Sequence, residues 1–263
     1  MLRRMSSVDV KAGIISVLER VEQAYSRRPP TITTLKPQLV AVSKTKPVEA
    51  IIEAYSTGQR YFGENYVNEL SEKASNEEIL RNCPEIKWHF IGHLQTNKIN
   101  KVLKSPGIDM IETVDSEKLA NNLDNAWGKI AGNDSGPLKV LIQVNSSAEA
   151  EKNGVEPSKA PALYKHIKEK CSNLDVRGVM TIGAFGFDYS KGPNPDFVAL
   201  MKCHAQICEE SAVRPEDLQV SMGMSDDFEK AIEMGSTIVR VGSSIFGYRA
   251  KKAAATATAE TTN

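Results

Sequence analysis

A single (β/α)8 barrel of the α/β class, with an extra helix ahead of it, is the fold this sequence predicts. Three observations carry the expectation. Eight short apolar runs recur along 263 residues, each followed by a stretch with helical spacing or a helix-starting signal. The first run, Leu39-Val40-Ala41-Val42, is continuous rather than alternating, the mark of a parallel strand covered on both faces. The length falls in the range of one such barrel. The competing fold is an open doubly wound sheet. It is disfavoured because no G-x-G-x-x-G follows the first strand and no G-x-x-x-x-G-K-[ST] occurs.

Ile14, Val17, Leu18, Val21 and Tyr25 recur at helical spacing, so 6–26 reads as an amphipathic helix that Arg27-Arg28-Pro29-Pro30 stops. The first strand is 39–43. Pro47 then opens a helix with Val48, Ile51, Ile52 and Tyr55 on one face, and Gly58 closes it. The second strand is 60–63, with a polar helix over 65–74. The third is 87–91, followed by a helix over 95–103, and the fourth is 110–114, followed by a helix from Ser116. The fifth strand, 139–144, precedes a helix over 157–170, and the sixth, 177–182, precedes one over 196–210. The seventh, 218–221, leads into a short helix over 226–234, and the eighth is 237–241. Residues 251–263 have no apolar face and are predicted to be a disordered tail, which leaves 1–250 for the barrel domain.

Charge narrows the function. Lys and Arg total 33 and Asp and Glu total 33, a neutral balance that argues against a general nucleic-acid binder. No run approaches the roughly 20 apolar residues needed to span a bilayer. Cys83, Cys171, Cys203 and Cys208 form no C-x-x-C pair and read as buried free thiols. Met1-Leu2-Arg3-Arg4 is basic, but no apolar h-region follows it. The expected compartment is the cytoplasm, with a mitochondrial fraction as the second reading, and the expected state is a monomer.

In a barrel of this kind, chemistry gathers at the C-terminal ends of the strands. Those ends carry Lys44, Glu64-Asn65, Gly92-His93, Asn145, 181–183, 222–225 and 240–243. Lys44 follows the first strand, where a partly desolvated amine becomes a nucleophile toward an aldehyde; the alternative is a solvated strand-end lysine. Lys46, just before the helix-starting Pro47, reads as a loop residue. Gly242 and Ser243, after the last strand, suit an anion, with Met224 and Ser225 on a neighbouring small-residue loop, although Asp226 and Asp227 would repel a phosphate. An ordinary Gly/Ser turn is the alternative. Arg240 interrupts Ile238-Val239-Arg240-Val241, and a buried guanidinium needs acceptors. These are either a carboxylate such as Glu64 or Glu112, or a ligand's ring nitrogen or phosphate. His89 and His93 sit four apart but on a strand, which separates them and disfavours a metal. His166 and His204 fall on helical segments, as surface or packing residues.

Six blocks then share one likeness. They are 39–47 around Lys44, 62–67 around Asn65, 88–98, 178–182, 221–228 and 240–247, in that order along the chain. Together they resemble the pyridoxal phosphate homeostasis proteins of the YggS/PROSC family. The resemblance implies a barrel similar to the N-terminal domain of alanine racemase, holding pyridoxal 5′-phosphate (PLP) as an aldimine on Lys44. It implies Arg240 as partner of the pyridine nitrogen, Met224, Ser225, Gly242 and Ser243 as phosphate contacts, and Asn65 near the ring. It further implies a non-catalytic carrier that buffers the cofactor and delivers it to apo-enzymes. The alternative is a weak amino-acid racemase or another Schiff-base lysine enzyme. An arginine at the pyridine nitrogen leaves that nitrogen unprotonated and the ring a weaker electron sink. The chain is also expected to lack the second domain that in alanine racemases supplies a catalytic tyrosine.

Overall fold

The structure is a computed structural model that describes residues 8–132, 136–147, 153–184 and 186–248. Eight strands close into one barrel in chain order: β1 Gln38–Val42, β2 Tyr61–Glu64, β3 Lys87–Phe90, β4 Ile108–Val114, β5 Leu138–Gln143, β6 Leu174–Met180, β7 Gln219–Ser221 and β8 Ile238–Val241. All neighbours run parallel, and β1 meets β8 with Val40 opposite Arg240 and Ala41 opposite Val241. That seam matters for the site, because it sets the residues after β1 beside those after β8.

Ten α-helices accompany the strands among the described residues. They are α1 Val10–Ser26, α2 Val48–Tyr55, α3 Val67–Ala74, α4 Glu77–Asn82, α5 Ile99–Leu103, α6 Glu117–Ile130, α7 Ala160–Lys170, α8 Pro195–Ser211, α9 Phe228–Glu233 and α10 Ser243–Phe246. The differences from expectation lie at the ends and have local causes. Asp9 accepts the Ala12 N–H and caps α1, so the helix starts at Val10. The expected helices over 95–103 and 157–170 each begin as a 3-10 turn, at Thr96–Lys98 and Pro157–Lys159. Asn76 caps α4, which the sequence reading does not anticipate. β4 and β6 both start earlier than predicted, at Ile108 and Leu174. The predicted tail, 251–263, lies outside the described residues.

Most of the apolar mass sits between barrel and helices, where Trp88, Phe62, Ile51, Leu123 and Phe228 are fully buried. The barrel interior is smaller. Val40, Met110, Leu141, Met180 and Ile238 form a separate cluster there. Two residues further along β4 and β8, side-chain alternation gives Glu112 and Arg240 the same inward direction. The buried cysteines are all free, and burial pushes the Cys203 thiol up to about 12. No helix among the described residues is long and apolar enough to cross a membrane. Among the described residues, no group of three or more His, Cys, Asp or Glu could hold a metal ion.

Candidate functional site

A cavity of about 790 Å³ opens at the C-terminal mouth of the barrel. Lys44, Asn65, Met224, Ser225, Arg240, Gly242 and Ser243, all seven residues singled out from the sequence, line it. The rest of the lining is mixed: Val42, Ile91 and Ile182 are apolar, and Lys46, Asp226, Gly247 and Tyr248 stand around them. A smaller recess of about 240 Å³, lined by Asn145, Ser146, Thr181 and Gly183 among others, shares Ile182 with it.

Lys44 is half-buried just past β1. The turn that carries it is held from below. Thr45 adopts φ 64°, a left-handed conformation costly for a β-branched residue, and its N–H donates to Glu69 on α3. Buried Lys73, one turn on, donates to Glu69, to Glu64 and to the carbonyl of Ser43. Glu64 also accepts from the Ser43 hydroxyl at 2.6 Å. Burial raises the Glu64 pKa against the pull of Lys73. Lys46 is spent differently: its ammonium donates to the carbonyls of Phe246 (2.7 Å) and Gly247 (2.8 Å) at the end of α10. It is a loop residue, as its position before Pro47 suggests, and it ties the first loop to the last.

Asn65 follows β2. Its side-chain carbonyl oxygen is buried and has no hydrogen-bond partner among the described residues. A buried acceptor left in that state is costly unless a ligand donor meets it. Gly92 sets its place. A Cβ on Gly92 would come within 1.9 Å of the Asn65 backbone oxygen, so only glycine lets the two loops touch.

On the opposite side of the seam lie the small residues. Gly223 has φ +95°, and a Cβ there would meet the Cβ of Ala231 at 2.5 Å. This tight turn brings Met224 and Ser225 to the rim. The Ser225 Oγ accepts the Gly242 N–H at 3.1 Å, which leaves its own hydroxyl proton for another acceptor. Gly242 caps α10, whose first amides, on Ser243 and Ser244, have no intrahelical acceptor. Asp226 lines the cavity, but Asp227 does not face it in the expected manner. It precedes α9 as the N-cap residue and accepts the Met224 N–H at 2.7 Å. The predicted helix start at residue 226 is thus corrected to Phe228, and that acceptance draws the Asp227 carboxylate onto the loop backbone. Burial, the largest influence, raises its pKa.

Arg240 is buried on β8 and reaches the cavity. Nη2 donates to the carbonyl of Thr181 at 2.7 Å and Nη1 to the hydroxyl of Ser221 at 2.5 Å. Of the two carboxylates open to it from the sequence, Glu112 lies 4.0 Å away and Glu64 belongs to Lys73. Glu112 accepts from Ser221 at 2.6 Å and meets His89 Nδ1 at 2.6 Å. Burial lowers the Arg240 pKa, against Glu112 and Asp227. His89 lies inside the barrel and His93 on its exposed rim, so the two are separated as their strand spacing predicts. His204 is buried and bonded to the carbonyl of Leu218, a packing residue. Ser221, Thr181 and Gly92 are the contributors that sequence reasoning did not assign a role, although all three sit at strand ends.

This arrangement places a lysine amine, a guanidinium, a buried acceptor without a partner among the described residues, and hydroxyls with helix-start amides around one cavity. It suits a small ligand with an aldehyde, a ring acceptor, a hydroxyl donor and an anionic group. Comparisons with known proteins agree in kind. Residues 22–250 match the family described as alanine racemase, N-terminal domain. A pyridoxal phosphate homeostasis protein of Bos taurus is 55% identical over 234 residues, which is 89% of this chain and 85% of that protein. The one of Mus musculus is 53% identical over 257 residues, 97% of this chain and 93% of that protein. PipY of Synechococcus elongatus, solved with PLP bound, has a TM-score of 0.70 at 31% identity and covers 88% of this chain and 100% of its own. The chain therefore belongs to the alanine racemase N-terminal-domain family and, within it, to the pyridoxal phosphate homeostasis proteins.

Proposed function

We propose that the barrel mouth binds pyridoxal 5′-phosphate and that the protein serves cofactor homeostasis in the cytoplasm, buffering the reactive aldehyde and delivering it to apo-enzymes. The convergence of Lys44, Asn65, Arg240 and the Ser225–Ser243 rim on one cavity carries the reading. When bound, the cofactor supplies an aldehyde carbon and an electron-withdrawing ring. Lys44 would present the amine to the aldehyde, on a turn that the α3 cluster under Thr45 holds in place. Ser225, Gly242 and Ser243, with the Met224 loop, would hold the phosphate, and Asn65 would accept from a ring substituent. Arg240 would donate to the ring nitrogen. The same barrel, residues 1–250 of the proposed domain, suffices for this task.

A carrier fits these residues better than a racemase. A guanidinium is a donor with no proton to give up, so it leaves the ring nitrogen unprotonated and the ring a weak sink for a carbanion. Tyr248, on the cavity rim, is 84% exposed, a poor position for a base that must stay within hydrogen-bond reach of one substrate carbon.

Two measurements test the proposal. Added PLP should turn the purified protein yellow, and borohydride should bleach it; Lys44→Ala should stay colourless. A colourless wild-type protein would refute the binding role. Exchange of the α-proton of added amino acids should stay at the level of free PLP. Exchange dependent on the protein and lost in Lys44→Ala would instead establish the enzyme reading.

A further inference from the structure

Behind Arg240 lies a polar chain, buried at Glu112 and His89 and partly exposed at Asp109 and Lys139, that the proposed binding role does not itself require. Arg240, Glu112, His89, Asp109 and Lys139 succeed one another from the mouth of the barrel toward the N-terminal ends of its strands. The spacings are Arg240 Nη1 to Glu112 at 4.0 Å with the Ser221 hydroxyl bridging them, Glu112 to His89 Nδ1 at 2.6 Å, His89 Nε2 to Asp109 at 3.6 Å, and Asp109 to Lys139 at 2.9 Å. Glu112 and His89 are fully buried, and Tyr61 packs edge-on against the imidazole at 5.7 Å. Signs alternate along the chain once the imidazole carries its proton. For His89, burial favours loss of that proton, but Asp109 and Glu112 overcome it and raise the pKa. For Glu112, burial opposes ionisation, but His89, Arg240 and Ser221 overcome it and lower the pKa.

A buried carboxylate is retained at a cost unless it does something that an apolar side chain would not. Here its geometry is specific. One Glu112 oxygen orients the Ser221 hydroxyl proton toward itself, which turns a Ser221 lone pair to Arg240 Nη1. Thr181 fixes Nη2 from the other side. Two of the five guanidinium N–H donors are thereby committed inward, and the planar fork is fixed with respect to the cavity. We infer that Glu112, which does not line the cavity, is a positioning residue that acts through Ser221 to aim Arg240 at a ring acceptor of the bound ligand, with His89 holding Glu112 in register. This deepens the proposed PLP role and rests on it.

The test compares two ligands by fluorescence titration: PLP, and its deaza analogue with a ring C–H in place of the nitrogen. Both keep the aldehyde and the phosphate. In Glu112→Gln the affinity for PLP should fall roughly tenfold, the scale of one charge-assisted hydrogen bond, and that for the deaza analogue less than about twofold. Ser221→Ala should show the same selectivity, and it decides the matter if Glu112→Gln does not fold. A merely structural Glu112 would weaken both ligands together. Equal losses, or no loss, with wild-type protein that binds PLP overturn the inference and leave the binding role standing. Wild-type protein that binds neither ligand overturns both.

Discussion

Lys44 and Lys46 stand two residues apart, and both line the cavity. Lys46 also donates to the carbonyls that end α10, and Lys44 sits on a turn pinned by Glu69 and Lys73. Replacing Lys46 by Met should lower stability by about 1–2 kcal/mol through the lost carbonyl contacts while leaving PLP attachment intact, which thermal unfolding and the visible band check together. Gly92→Ala makes the complementary prediction. The added methyl would collide with the Asn65 backbone, so the β2–α3 turn must shift and PLP affinity should drop at least about tenfold, more than stability alone explains. A Gly92→Ala protein with unchanged affinity would show that Asn65 is not part of the site. The strand-end residues were legible in the sequence because chain order alone fixes where a strand ends. Their partners were not. Glu64 and Glu112 are equivalent in sequence as partners for Arg240, and only the placement of Lys73 on α3 separates them.

At the scale of elements, α1 is more than an appendage. It packs on α9 and α10, and its end carries a buried arginine that composition reads as a helix stop. Arg28 donates to the carbonyls of Ile232 (2.8 Å), Ser236 (2.6 Å) and Thr34 (2.9 Å), closing the turn between α9 and β8. Burial lowers its pKa, which those acceptors make tolerable. Arg28→Ala would orphan several buried carbonyls and should cost roughly 2–4 kcal/mol in chemical denaturation. Arg28→Lys should recover only part of it, because one ammonium cannot span the same acceptors. Strand and helix order were legible from apolar periodicity, but starts such as Ile108 and Leu174 were not. Asp109, Asp175 and Arg177 break the apolar run in β4 and β6, and pairing with neighbouring strands overrides that local signal.

For the whole molecule, the neutral total charge conceals a barrel threaded by alternating charges. Asp109 is held down to about 2: burial opposes its ionisation, but His89 and Lys139 outweigh that. A carboxylate with a depressed folded pKa contributes stability that is complete above its unfolded value near 4 and is lost as pH falls through the folded one. Glu112 shifts in the same direction. Unfolding free energy should therefore decline between about pH 4 and pH 2, and less steeply in Asp109→Asn, as thermal unfolding at stepped pH would record. A slope unchanged by Asp109→Asn would mean the axis carries no linked protons there.

The proposed binding role rests on one lysine at the barrel mouth that would receive the aldehyde of PLP. Its most direct test is borohydride reduction of the PLP-treated protein, followed by peptide mass spectrometry. The phosphopyridoxyl label is expected on the peptide bearing Lys44, at near-stoichiometric level, with fragment ions assigning it to Lys44 rather than Lys46. A label on Lys46, or one spread thinly over surface lysines, would contradict it.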